Sequence, residues 1–345
     1  MLFKANLEKV LREILTLAEK SNKLTIFTIG IAPRKRDTET LFFPFIRESS
    51  LAVIGNVEIN RTEEAFEIVK LIDGIIDYII IDDEKKSPVL FNLTKDVKKL
   101  AKKSIVLTYK DNDAWVEATD ALISQFLVDA LNKNILIFTI NNLSSKLALK
   151  LCERGSNVYL YDPLVNTNAE NLINVLNFIL PEVNPSKIHY LKELTKQIDY
   201  DVVVGFSIDL PIITLNEIKD FSQNSIIIDA GIGSISEEGI KYALENNFTI
   251  FRLDMRAGLS GNLINIIETY DLKNNIYGRK KFRNFNIVAG GFFGITGDIV
   301  VDSIKKPSKV IGVADGKGHL ISSEKIKDYE DRIKEVQEEI LHFKD

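Results

Sequence analysis

The sequence predicts an α/β protein made of two parallel-sheet domains and a closing amphipathic helix. Three observations predict it. First, short apolar runs of β-branched and aromatic residues alternate with runs of helical spacing along most of the chain. Second, residues 134–163 (NILIFTINNLSSKLALKLCERGSNVYLYDP) read as strand, tight turn, helix, strand and acidic tip. That is the layout of a βαβ dinucleotide-binding unit, so the domain around it is predicted to be of Rossmann type. Third, Ile326, Tyr329, Ile333, Val336, Ile340 and Phe343 recur at spacings of three and four, the seam of an amphipathic helix. The predicted organisation is an N-terminal α/β domain (1–112), a linking helix (113–133), a Rossmann-type domain (134–318) and a C-terminal helix (319–345).

Composition narrows the function classes. The chain has 345 residues, 45% hydrophobic and 27% charged, which is enough for two globular domains. A net charge of −5 with no basic patch argues against a nucleic-acid or anionic-membrane partner. No apolar run is long enough to span a bilayer, and the charged, periodic N-terminus does not read as a signal peptide. The single cysteine, Cys152, sits in a helical pattern and reads as a small buried hydrophobe. One cysteine allows no disulfide within the chain, which fits a cytoplasmic location.

Taken in order, residues 3–20 are predicted as an amphipathic helix, because Leu7, Val10, Leu11, Ile14, Leu17 and Ala18 share a face. Lys23–Ile31 is a strand, followed by the polar loop Ala32–Thr40. Arg34, Lys35 and Arg36 in that loop could clamp an anion, or the loop could simply be solvated. Leu51–Ile54 is a strand and Thr62–Leu71 a helix with Thr62 as its cap. Ile75–Ile81 is a strand ending in Asp82-Asp83-Glu84. These carboxylates could bind a metal, serve as acid and base, or solubilise a strand end; no His or Cys lies near, and no metal site is assigned. Leu93–Lys103 is a helix and Ser104–Tyr109 a strand. The polar knot Tyr109–Asp113 then leads into a helix over 114–131, which carries the only tryptophan, Trp115.

Beyond the central unit the pattern continues. Helices are predicted at 168–180, 215–221 and 236–245, and strands at 185–190, 201–206, 225–230 and 248–255. In the last strand Arg252, Asp254 and Arg256 alternate with Phe251, Leu253 and Met255. The polar face reads either as an anion site or as a surface ion-pair ladder. Gly258-Leu-Ser-Gly261 opens a helix at 262–270. Residues 287–301 hold Gly290, Gly291, Gly294 and Gly297, a turn dense enough to need positive φ or close backbone approach. The C-terminal helix either packs on the first domain or pairs with a second copy in a homodimer.

In the fingerprint G-x-G-x-x-G the glycine positions fall on Thr139, Asn141 and Ser144. Asn141 can visit the left-handed region, and Ser144 and Ser145 are small enough for close packing. Thr139 is β-branched and the poorest substitute. The acid about twenty residues past the turn is Asp162.

The plan resembles the amino-acid-dehydrogenase-like superfamily, with its closest echoes in methylene-tetrahydrofolate dehydrogenase/cyclohydrolases and shikimate dehydrogenases. Tyr109-Lys110-Asp111-Asn112-Asp113 resembles the Lys-Asp-Val-Asp-Gly motif of the folate enzymes. Asn141-Asn142-Leu143 with Ser145-Lys146 resembles their Ser-Asn-Ile-Val-Gly-Lys turn. Pro211-Ile-Ile213, Ile228-Asp229-Ala230-Gly231-Ile232 and Val288-Ala289-Gly290-Gly291 resemble three further loops. No Tyr-x-x-x-Lys pair stands where the folate enzymes carry theirs.

The resemblance implies an NAD- or NADP-dependent oxidoreductase acting on a small polar molecule in a cleft between domains. The cofactor would meet Thr139, Asn141, Asn142, Ser144, Ser145, Asp162, Ser207, Gly231 and Gly291. Asp162 on the ribose would favour NAD. Substrate would meet Arg34, Lys35, Arg36 and Glu39, with Lys110 as general acid and Asp113 as its partner. The alternative is a degenerate scaffold without dehydrogenase activity, serving as a ligand-binding or assembly subunit. A transferase or lyase is a third reading, since fold alone does not separate them.

Overall fold

The computed structural model describes residues 2–31, 45–164 and 168–342. Two compact units divide the chain, Met1–Leu263 and Ile264–Asp345.

The first unit begins with helix α1 (Leu2–Ser21), whose Leu7, Leu11, Ile14 and Ala18 are buried as the spacing predicts. A five-stranded sheet follows, made of β1 (Leu24–Ile31), β2 (Arg47–Glu48), β3 (Ala52–Ile59), β4 (Tyr78–Asp82) and β5 (Ile105–Tyr109). Helices α2 (Thr62–Ile72) and α3 (Leu93–Leu100) connect its parallel strands. The order is β2-β3-β1-β4-β5; only β2 runs antiparallel to its neighbour. The cap of α2 is shifted by one residue from the sequence reading. Arg61 is the N-cap, and the Glu64 carboxylate accepts the backbone N–H groups of Asn60 (2.9 Å) and Arg61 (3.1 Å).

Helix α4 (Asp111–Phe126) leads to the second sheet. It starts three residues before the predicted Ala114, because the polar knot is its first turn. Asp111 and Asp113 there face the positive end of the helix dipole. The sheet contains β6 (Asn134–Phe138), β7 (Asn157–Tyr161), β8 (Ile188–Leu191), β9 (Val202–Gly205), β10 (Ile226–Asp229) and β11 (Thr249–Arg252). Its helices are α5 (Asn142–Glu153), α6 (Ala169–Ile179), α7 (Leu215–Asp220) and α8 (Glu237–Glu245). All pairings are parallel and the spatial order is β8-β7-β6-β9-β10-β11. In chain order that is 3-2-1-4-5-6, the Rossmann arrangement, with its switch point between β6 and β9.

The apolar runs make sense here, because both faces of the sheet are covered. Ile135 and Ile137 of β6 pack with Leu147 and Leu151 of α5, while Leu136 and Phe138 pack with Ile218 and Phe221 on the other face. Cys152 is fully buried, and burial pushes its thiol up to about 11, as befits a packing residue.

Strand β11 stops at Arg252, short of the predicted Met255. Asp254 ends it: its Oδ1 accepts the Arg256 N–H (2.9 Å) and starts helix α9 (Arg256–Asp271). Gly258 therefore lies inside a helix rather than ahead of one. A Cβ there would stand 2.4 Å from the Ala114 carbonyl oxygen and 2.6 Å from the Ala118 nitrogen, so glycine is what lets α9 cross α4 closely.

The second unit has a sheet of its own. Strands β12 (Gly278–Phe282), β13 (Phe285–Ala289), β14 (Ile299–Val301) and β15 (Val310–Val313) are ordered β12-β13-β14-β15, with β13 and β14 parallel. Residues 264–318, read with the Rossmann-type domain in the sequence, thus include a separate sheet. Helix α10 (Glu330–His342) buries Val336 and Ile340 in one cluster with Phe285, Ile287 and Ile299. The seam is used within its own unit; Phe343 lies outside the described residues.

Candidate functional site: a cleft between two sheets

A cleft of about 610 Å³ opens within the first unit, at the carboxyl-end side of both sheets. That is where open α/β sheets bind ligands, and the volume suits a small molecule. The first sheet contributes Thr28, Arg47, Asn56, Glu58 and Tyr109. Helix α4 adds Asp111 and Trp115, one turn apart on one face. The loop after β10 adds Ile232, β11 adds Arg252, and the turn into α9 adds Asp254 and Arg256.

The charged groups lining it differ in how they are held. The Arg256 Nε donates to the Asp254 Oδ2 (2.6 Å), and that bond holds the Asp254 carboxyl below its usual range. Asp111 belongs to a network behind the cleft wall. Lys86 Nζ lies 2.8 Å from Asp82 Oδ2, 3.2 Å from Glu84 Oε2 and 3.3 Å from Asp111 Oδ2. The side chain of Asp82 is 0% exposed and that of Lys86 16%. Burial pushes Lys86 down, but Asp111, Asp82 and Glu84 outweigh it and hold the ammonium protonated above its ordinary value. Burial pushes the Asp82 carboxyl up, against the pull of Lys86. Tyr109 is buried beside this network, and burial, Asp111 and Asp82 raise its hydroxyl well above the ordinary value. The carboxylate run after β4 therefore gathers around an ammonium. Among the described residues no group of three or more His, Cys, Asp or Glu is placed to hold a metal ion.

Lys110 and Asp113 sit elsewhere. Lys110 is the N-cap residue of α4, its side chain is 59% exposed, and it pairs with Asp113. The hydrogen bond it donates to Asp113 raises its ammonium above the ordinary value. Asp113 also accepts from Lys146 Nζ of α5 (2.6 Å). Neither lines the cleft; their chain neighbours Tyr109 and Asp111 do. The helical turn decides this, since Asp111 and Trp115 share one face while Asp113, Val116 and Glu117 look toward α5. Arg34, Lys35, Arg36 and Glu39 lie outside the described residues.

The turn after β6 occupies the N-terminus of α5 with its own side chains. Thr139 has φ +76°, the left-handed conformation of the first glycine position, and its Oγ1 is buried without a hydrogen-bond partner among the described residues. Asn141 caps α5: its Oδ1 accepts the N–H groups of Leu143 (2.9 Å) and Ser144 (3.0 Å). Ser144 Oγ accepts the Asn141 N–H (2.8 Å), and Ser145 Oγ donates to the Asn141 carbonyl (2.7 Å). Asn142, the first residue of α5, is exposed. Asp162 accepts the N–H groups of Ile140 (3.2 Å) and Leu164 (2.9 Å). A dinucleotide thus fits the backbone path and the fully buried Ser144. At the second glycine position it fits once the Asn141 side chain turns away from the two N–H groups it holds.

On the far side of the switch point, Ser207 donates its hydroxyl to the Leu210 carbonyl. A Cβ on Gly231 would stand 2.0 Å from the Ser207 carbonyl oxygen, so these two loops touch backbone to backbone. Asp229 fills the next turn, accepting N–H groups of Ile232 (2.9 Å) and Gly233 (2.8 Å) and the Ser234 hydroxyl (2.6 Å). Gly291 belongs to the second unit, where a Cβ would meet open space.

The sequence reading missed Lys86 and Arg47 and used Tyr109 and Asp111 only as part of a motif. One signal was present: Lys86 follows Asp82 by four residues and closes the acidic run. No signal marked Arg47, which comes from a two-residue strand.

No family model matches this chain, and no curated protein matches it. Solved structures similar to it include a hetero-hexameric glutamate dehydrogenase from Thermus thermophilus in its Leu-bound form, at 11% identity and TM-score 0.42, covering 73% of this chain and 69% of that one. An L-tryptophan dehydrogenase from Nostoc punctiforme aligns at 12% identity and TM-score 0.40, covering 72% and 74%. A ligand-free aspartate transcarbamoylase from Trypanosoma cruzi aligns at 12% identity and TM-score 0.40, covering 74% and 90%. Identities this low leave the fold resting on strand order and the chemistry resting on the side chains of the cleft.

Proposed function

We propose that the protein is an NAD(P)-dependent oxidoreductase acting on a small polar metabolite in the cleft. One observation carries the reading: the 3-2-1-4-5-6 parallel sheet, whose switch point is where Rossmann-type domains take a dinucleotide. The turn 139–145 would hold the pyrophosphate and Asp162 the adenosine ribose, with Ser207 and Gly231 on the nicotinamide side. When bound, the nicotinamide supplies or accepts a hydride. The accompanying proton would move through groups that face the cleft, the Tyr109 hydroxyl and the Asp111 carboxylate, rather than through Lys110. Burial and the Asp111 and Asp82 carboxylates beside it hold the Tyr109 hydroxyl in its protonated form.

A second reading is favoured by the filled turn. If the Asn141 side chain stays on the helix N-terminus, the scaffold takes its cleft ligand without a dinucleotide. Titration of the purified chain with NADH and NADPH, read by nucleotide fluorescence and melting temperature, separates the two. A ligand bound only by the native state adds about 2.7 kcal/mol at a hundred times its dissociation constant. The oxidoreductase reading expects a saturable shift, tightened in Asn141→Gly, which frees both N–H groups at a cost of only a few tenths of a kcal/mol in cap strength. A shift in Asn141→Gly alone supports the closed scaffold. No shift in either protein overturns the dinucleotide reading.

A further inference from the structure

We propose that the ligand of the cleft carries a carboxylate or phosphate group, gripped by Arg47 and Arg252 from opposite sheets, with its organic body against Trp115. This deepens the proposed function by naming the substrate class and rests on the same cleft, though not on a bound dinucleotide.

The charges of the cleft make the argument. Arg256 is neutralised by Asp254 through a side-chain hydrogen bond and a turn. Asp111 is paired from behind with Lys86, an ammonium it shares with Asp82 and Glu84. Glu58 is engaged as well. Arg47 and Arg252 are held less tightly: among the described residues neither guanidinium has an ion pair or a side-chain hydrogen bond, Arg47 feeling only the longer-range pull of Asp254, and both line one concavity. Two unpaired like charges lining the same cleft repel each other, and an anion between them turns that repulsion into attraction.

Position adds to this. Arg47 lies on β2, the antiparallel edge strand paired to β3 with Arg47 opposite Ile54. Arg252 is the last residue of β11, the opposite edge of the Rossmann-type sheet. The two arginines therefore come from separate sheets, and an anion held by both would tie the sheets together. A guanidinium is weakly hydrated and matches carboxylate or phosphate with two parallel N–H groups. The wall also carries an apolar side, with Trp115, Leu253, Met255 and Leu259, which suits the organic body of an anion rather than a bare ion.

Trp115 is the only tryptophan and lines the cleft, so its emission reports on occupancy in the unlabelled full chain. The purified protein is titrated with inorganic phosphate, with succinate, and with chloride at matched ionic strength, reading Trp115 emission and melting temperature. A saturable response to phosphate or succinate but not chloride is expected; which anion responds tells phosphate from carboxylate chemistry. Arg47→Gln and Arg252→Gln should each weaken binding at least about ten-fold, since either loses a charge-assisted bidentate contact. Lys192→Gln, which removes equal charge from an exposed pair with Glu170, should leave it unchanged. If a glutamine variant does not fold, Arg47→Lys and Arg252→Lys keep the charge and lose the fork, and should still weaken binding. A response shared with chloride, no response to any anion, or wild-type affinity in the arginine variants overturns the proposal. NADH binding is scored separately, so its failure and this one are told apart.

Discussion

The turn after β6 and the mouth of the cleft are both places where an α/β protein could take an anion, and they are finished in opposite ways. In the turn, the N–H groups of Leu143 and Ser144 already have an acceptor in Asn141, and Ile140 has one in Asp162. In the cleft, Arg47 and Arg252 face the concavity with no such partner among the described residues. Backbone donors satisfied by their own chain give up those bonds before they can serve a ligand, which offsets part of what the ligand gains. Guanidiniums without a hydrogen-bonded partner give up mainly water and, for Arg47, some of its longer-range attraction to Asp254. The difference locates readiness to bind at the cleft and makes the turn conditional on one side chain.

The largest effect should come from the wall behind the cleft. Lys86→Ala leaves Asp82 wholly buried, with Glu84 and Asp111 beside it and no cation between them. Removing one partner of a buried ion pair costs about 3–5 kcal/mol. The expected result is a large drop in the urea midpoint, partly restored in Lys86→Ala/Asp82→Asn, where the stranded charge is gone. A stability within about 0.5 kcal/mol of wild type would mean that water already reaches this network, and the contrast between a built wall and an open mouth would fail.

How much of this was legible follows from what each residue depends on. The βαβ unit was readable because Ile135–Phe138 and the 147/151 spacing are local patterns with one good explanation. Strand order was not, since nothing local records which strands become neighbours. Boundaries moved where acidic residues sit at a helix start: Asp111 in the first turn of α4 opened it early, and Asp254 ended β11 and opened α9. Lys110 drew attention as part of a motif, yet one helical step separates a residue on the α5 side from one on the cleft side. Arg47 and Arg252 are 205 positions apart and lie on different sheets, so only the fold brings them to one cavity.

A second, smaller effect sharpens the reading of the turn itself. Thr139 holds a positive φ that costs a residue with a Cβ about 1–2 kcal/mol, and its hydroxyl is buried without a partner among the described residues. Thr139→Gly removes both penalties. It also loosens the unfolded chain, which takes back about 0.4–1 kcal/mol. The net expectation is a gain of up to about 1 kcal/mol, seen as a higher melting temperature. A clear loss would show that the threonine hydroxyl is satisfied in solution and that the turn is not strained at its first glycine position.

The smallest effect concerns Asp113, on the side of α4 away from the cleft. Burial pushes its carboxyl up, but the hydrogen bonds from Lys110 and Lys146 outweigh that and hold it below the ordinary value of 3.8. A carboxyl depressed in the folded state contributes stability that is complete above its unfolded value and lost as pH falls through its folded value. The contribution should therefore be present at neutral pH and fade below about 3.8. Both lysines are substantially exposed, at 59% and 35%, so screening keeps the sum under about 1 kcal/mol. Melting curves of wild type and Asp113→Asn should differ slightly at pH 7 and converge as the acid limb is descended. A constant gap across that range would trace the difference to helix capping or packing instead. Loss of anion binding in Asp113→Asn would be more damaging, because it would join the α5 side of the helix to the cleft that the geometry keeps apart.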